Sequence, residues 1–152
     1  SSKSHASSSP SKRDAIEWGL IKAAQERDIL IMGICRGAQM LCAAAGGYLI
    51  QHVNNHGGYH PVVDNTGAVF TVNSIHHQMQ APWDIPHEML ATTVTKRSQE
   101  FWDVDIQVEV PNEPEAVYYP ELKGLGAQWH PEMMRAEELA NQWLKQQLLK
   151  RL

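Results

Sequence analysis

The run Ile29-Leu30-Ile31-Met32-Gly33-Ile34 passes without a polar break into Cys35-Arg36-Gly37. A continuous apolar run of that length, with no alternation, is the mark of a strand covered on both faces, as in a parallel sheet. Helical patterns flank it. Asp14 and Glu17 resemble a capping box, and Ile16, Leu20, Ala23 and Ala24 follow at helical spacing. That helix should stop near Asp28. Beyond Cys35, Gly37 to Ala45 reads as a second helix, closed by Gly46-Gly47. Helix, buried strand, tight turn and helix in this order imply an α/β layered fold.

The rest of the chain fits that frame. Ala68 to Val72, Met89 to Thr95, Ile106 to Val110, Ala116 to Tyr119 and Leu125 to Trp129 favour strands separated by Pro, Asn and Asp turns. Arg135 to Leu149 reads as a final helix. Residues 1–13 hold seven serines before Lys12. They cannot bury enough apolar surface to order themselves and are expected to form a flexible segment ahead of one domain, residues 14–152.

Charge excludes one class of function. Lys3, Lys12 and Arg13 face no acidic residue in the first thirteen, so the remaining body carries ten basic against seventeen acidic side chains. Nucleic-acid surfaces depend on clustered Lys and Arg, so no nucleic-acid partner is expected. No apolar run reaches the ~20 residues of a membrane span, and the first thirty residues lack a signal-peptide core. A cytoplasmic location follows as the expectation. Cys35 and Cys42 suit a reducing compartment; on one helix their Cα atoms would lie ~10 Å apart, too far to pair.

The chemistry centres on Gly33-Ile34-Cys35-Arg36-Gly37. A strand that turns sharply into a helix exposes its turn residue as a nucleophile, and glycines two positions either side avoid Cβ clashes. The helix start should lower the Cys35 pKa, and the Arg36 N–H should face a developing oxyanion. A thiol nucleophile needs a base, and the base needs an orienting group. His130 lies at the end of the Leu125–Trp129 strand, and Glu132 is placed to hold its imidazole. Cys35, His130 and Glu132 thus form a candidate triad.

These residues carry a resemblance. Gly33 to Leu41 (GICRGAQML), followed by Gly126 to Glu132 (GAQWHPE), resembles the class I glutamine amidotransferase superfamily. Asn73 to Gln78 (NSIHHQ) is similar to a block of its γ-glutamyl-hydrolase-like branch, peptidase family C26. The resemblance implies a flavodoxin-like three-layer sandwich with a mostly parallel central sheet. It implies thiol attack on a small-molecule γ-glutamyl amide through a thioester, with Cys35 as nucleophile, His130 as base and acid, and Glu132 as orienter. The Arg36 backbone, Gln39, Ser74, His76 and His77 become candidates for holding substrate. No metal and no organic cofactor are implied. Family members carry strands and a glycine-rich loop ahead of the position of Asp14. The chain is therefore expected to be a fragment, or to receive that part from another chain, which would otherwise leave strand edges open to self-association.

Two alternatives stand beside the hydrolase. One is a glutaminase subunit that passes ammonia to a synthase partner; the other is a non-catalytic relative that keeps the fold. His52, His56 and His60 repeat every four residues, but Asn54, Asn55, Gly57 and Gly58 interrupt any helix. They read as a polar loop at the rim of the site. Cys42 reads as packing, and Trp18, Trp102 and Trp143 as core or face aromatics.

Overall fold

The computed structural model describes residues 12–50, 52–53, 57–75, 79–94, 101–103, 106–107 and 113–152. Helix α1 (Lys12–Glu26) leads to β1 (Ile31–Ile34), and α2 (Arg36–Ala44) follows. Then come β2 (Tyr48–Ile50), β3 (His52–Val53), β4 (Gly57–Asp64), β5 (Val69–Ile75), β6 (Met79–Ala81) and β7 (Glu88–Thr93). The chain continues with β8 (Phe101–Asp103), β9 (Ile106–Gln107), β10 (Pro114–Tyr119) and β11 (Gly124–Ala127). A 3-10 turn, Pro131–Met133, precedes α3 (Leu139–Leu149).

The main sheet has six strands in the order β1-β11-β10-β7-β4-β5. It is mixed. Only β1 and β11 pair in parallel among the described residues; β10–β11, β10–β7, β4–β7 and β4–β5 are antiparallel. The expectation of a mostly parallel sheet therefore holds only at the β1–β11 pair. The reason is connection length: the short Pro120–Lys123 link between β10 and β11 can only reverse the chain, because a parallel neighbour needs a long crossover. Two small sheets, β2–β6 and β3–β8–β9, complete the strand pairing.

Alternation along β10 builds the layers. Ala116 joins a core with Leu125, Ala127, Trp129 and the α3 residues Ala140, Trp143 and Leu144. Val117 and Tyr119 point the other way, into a core with Ile21 of α1 and Met40, Leu41 and Cys42 of α2. One strand thus feeds both faces, as period-two geometry requires. On the α2 side β11 presents glycine: a Cβ on Gly124 would meet Leu41 Cδ2 at 2.9 Å, and one on Gly126 would meet Ala38 Cβ at 2.9 Å. The absence of side chains lets α2 lie close on the sheet. The α/β three-layer arrangement is the one expected.

Several local expectations change. Helix α1 begins at Lys12, so Asp14 lies in its first turn and is not its cap. The Ile16–Leu20 stripe faces outward, 59% and 65% exposed, while Ile21 is buried against α2. Asp28 ends the helix in the left-handed region, φ 55°, and Ile29 N–H closes back on Ala24 O at 2.9 Å. The last helix starts at Leu139, four residues later than its apolar spacing suggests, because 131–133 wind as a 3-10 turn. The supposed polar loop around His52 and His60 is strand, with His60 inside β4. His56 lies outside the described residues.

Candidate active site

The elbow forms where β1 meets α2. Cys35 takes φ 51° and ψ −101°, a backbone conformation that only surrounding constraint keeps populated in a residue with a side chain. One constraint is its own N–H, which donates to Ala127 O at 2.6 Å and ties the turn to β11. Another is Gly33. A Cβ there would stand 2.5 Å from the carbonyl carbon and oxygen of Gly37, so the chain on either side of the nucleophile closes to contact. Gly37 itself is different. A Cβ on it would meet nothing within 4 Å, so the expected symmetry of the two glycines does not hold. The space that must stay empty lies at position −2, against the backbone of +2.

The thiol departs from expectation too. Burial pushes Cys35 above the ordinary thiol range; the Arg36 N–H pulls it back only in part, and the Glu132 and Glu115 carboxylates push it further up. The helix-start contribution is present, but desolvation outweighs it. Burial thus favours the thiol over the thiolate at Cys35. Neither cysteine is in a disulfide, and Cys42 is buried on α2 with its Sγ 3.5 Å from Tyr48 O.

The candidate base stands beyond β11. His130 Nδ1 lies 2.9 Å from Glu132 Oε2, the contact expected of an orienting carboxylate. With the carboxylate accepting, Nδ1 carries the proton and Nε2 is left for exchange. The Glu132 carboxylate is near enough for its charge to act on Cys35. Strand geometry explains the convergence: β1 and β11 run parallel, so both end at the same sheet edge, the edge where α/β folds gather their sites.

Of the candidate substrate residues, Arg36 is engaged elsewhere. Its side chain pairs with Asp14, and Nε lies 3.6 Å from Glu17 Oε2, which fastens α1 to the elbow. Any contact of Arg36 with substrate therefore falls to its backbone. Gln39 is buried one turn into α2, its N–H donating to Cys35 O at 3.2 Å. Ser74 is placed by its backbone in β5, opposite Gly58. His76 and His77 lie outside the described residues. Among the described residues no group of His, Cys, Asp and Glu is arranged to hold a metal.

Two further features escaped sequence reading. His60 and Glu115 are fully buried, with Nε2 and Oε1 3.4 Å apart, and Thr93 donates to the buried Glu113 at 3.0 Å. Asn73 contacts the base directly: its Oδ1 accepts from His130 N–H at 2.8 Å and its Nδ2 donates to His130 O at 3.0 Å. No local pattern reveals either pairing, because the partners are 55 and 57 residues apart in sequence. The position of Asn73 beside Ser74 was the one available hint.

Comparison with known proteins places this geometry. The family model described as Peptidase C26 matches residues 1–81, which include Cys35, Gln39 and the block from Asn73 to Gln78. A protein of Mycobacterium tuberculosis that bears the name glutamine amidotransferase is 30% identical over 131 residues, 79% of this chain and 41% of that one. The carbamoyl phosphate synthase small chain of Brucella anthropi is 34% identical over 88 residues, 57% of this chain and 22% of that one. The chain thus spans less than half the length of these relatives. The glutaminase domain of Trypanosoma brucei CTPS, solved with bound acivicin, superposes with a TM-score of 0.61 at 14% identity, over 91% of this chain and 65% of that one. At that identity the likeness speaks for the fold.

Proposed function

The chain belongs to the peptidase C26 family, within the class I glutamine amidotransferase-like superfamily, and from that premise we propose that it cleaves a γ-glutamyl amide with Cys35 as its nucleophile. The observation that carries the reading is the strained Cys35 elbow, which follows β1 at the same sheet edge where His130 follows the parallel β11 with its Nδ1 2.9 Å from Glu132 Oε2. In the reaction, Cys35 Sγ attacks the side-chain carbonyl carbon while its proton passes to His130 Nε2. The oxyanion forms toward the Arg36 N–H, which already serves the sulfur. Collapse of the intermediate breaks the C–N bond, and the departing amine takes the proton from His130. Water, deprotonated by the same imidazole, then attacks the thioester, releasing glutamate and restoring the thiol. The raised thiol pKa makes the transfer of the proton to a base a requirement of the attack. Gln39, Ser74, His76 and His77 are assigned to the glutamyl group.

A second reading has its own motive. The similarity to a carbamoyl phosphate synthase small chain supports a glutaminase that hands ammonia to a synthase partner. The chemistry at Cys35 is unchanged; only the fate of the nitrogen differs. Incubating the chain with γ-glutamyl-GABA and, separately, with glutamine, and measuring glutamate release against a Cys35→Ala control, distinguishes them. The hydrolase reading expects release from both substrates by the chain alone. Release from glutamine only, with γ-glutamyl-GABA inert, favours the synthase-coupled reading. Cys35-independent release would sink both.

A further inference from the structure

The base is secured from an unexpected direction. His130 follows β11, yet its main chain is bonded by a side chain of β5, the strand at the opposite end of the sheet from β1. The Asn73 carboxamide meets both polar groups of one residue, accepting from His130 N–H at 2.8 Å and donating to His130 O at 3.0 Å. A primary amide is the one neutral side-chain group that supplies donor and acceptor side by side in the spacing a peptide unit asks for. Apolar packing brings the two elements together: Phe70 of β5 lies edge-on to Trp129 with ring centroids 6.1 Å apart, and tilted on Trp143 of α3 at 4.9 Å. The aromatic cluster sets the approach, and Asn73 sets the last few tenths of an ångström.

We propose that Asn73 is the positioning residue of this site, locking the His130 backbone so that the imidazole, held by Glu132 at one nitrogen, presents the other to Cys35. The proposal rests on the reading of Cys35 and His130 as nucleophile and base, and it adds a fourth member to the arrangement. Its chemistry is specific. Alanine removes both bonds, whereas an ionised aspartate keeps the acceptor for the N–H but sets a charge against His130 O. Either change frees the main chain between Trp129 and Pro131 without touching Glu132 or the sulfur.

The test is the pH dependence of Cys35 alkylation by iodoacetamide, which requires no substrate. Near neutral pH the rate depends on His130 as proton acceptor, so His130→Asn should slow it about tenfold. Asn73→Ala and Asn73→Asp should slow it by about three- to tenfold there and converge on the unsubstituted chain above the thiol pKa, where no base is needed. In turnover the same variants should lose kcat by about tenfold with KM nearly unchanged, the split expected when only the reacting geometry is disturbed. An unaltered profile in both variants overturns the proposal. So does a rate deficit that persists at high pH, or labelling of buried Cys42, since either would report general loosening. If the unsubstituted chain cleaves no γ-glutamyl amide while the alkylation profiles still shift, the functional reading fails and the role of Asn73 stands.

Discussion

At Cys35 two opposing influences act on one sulfur. The start of α2 offers the Arg36 N–H, while burial and the Glu132 and Glu115 carboxylates resist a second negative charge. The net effect is an elevated thiol, and the sign of that shift is measurable. Free cysteine titrates near ~8.5; alkylation of Cys35 should still be climbing above that pH, whereas a plateau reached by pH 8 would contradict the balance described. Replacing Glu132 by Gln removes one of the opposing charges. The Cys35 pKa should fall, so alkylation should reach its plateau at lower pH, while near neutrality it should slow because His130 loses the carboxylate that holds it. Turnover should drop by about 10- to 100-fold, because Gln cannot stabilise the imidazolium. Mass-spectrometric labelling across pH with a glutamate assay on the same sample checks both, and an unshifted plateau with unchanged turnover would contradict them. Cys42 should remain unlabelled throughout, since it is buried among α2 and Tyr48.

Among the elements, the β1–α2 turn bears the tightest constraint. A methyl at position 33 would sit 2.5 Å from the Gly37 carbonyl group and 2.8 Å from Ala38 N, all of it backbone that cannot rotate away. Gly33→Ala should therefore cost about 3 kcal/mol, the upper end of overpacking penalties, and should return Cys35 towards an ordinary backbone conformation. Chemical denaturation reads the first effect and loss of Cys35-specific labelling the second. Gly37→Ala serves as the contrast, because its Cβ meets nothing within 4 Å and a first-turn helix position tolerates alanine. Equal damage from both would mean that the closeness of Gly33 to Gly37 is not what shapes the elbow. Much of this was legible in residues 29–46, where an apolar run, a G-x-C-x-G turn and a Gly-Gly stop identify the elements in order. Legibility failed where the signal was not local. The spacing of Ile16 and Leu20 marks a helix but not the face it buries; in the structure both side chains are exposed, on a helix fastened through Asp14 and Glu17 to Arg36.

For the molecule as a whole, β1 is the end strand of the six-stranded sheet, and among the described residues it pairs with β11 alone. Apolar grooves lie on both sides of it, one against α1 lined by Leu20, Ile31 and Met40, the other against α3 lined by Met32, Leu144 and Leu148. Such an edge invites pairing with another strand. The 152-residue chain should self-associate in a concentration-dependent way, and Ile16→Lys with Leu20→Lys, both already exposed, should weaken that association without unfolding the domain. Sedimentation velocity over a hundredfold concentration range decides it; a single monomeric boundary throughout would show the edge to be protected. No helix among the described residues is long and apolar enough to cross a membrane.

The amino-acid sequence by itself determined the elbow at Cys35, the His130–Glu132 contact and the α/β layering, because each is written in neighbouring residues. A glycine two before a cysteine, or a carboxylate two after a histidine, acts over a single turn of chain. Only the tertiary structure decided the rest. Short links made the sheet mixed, burial reversed the expected shift of the thiol, His60 proved to be a core strand residue paired with Glu115, and Asn73 reached His130. Each of these depends on which distant segments share a sheet edge and how much water they exclude, and desolvation and cross-strand contact leave no trace in local spacing.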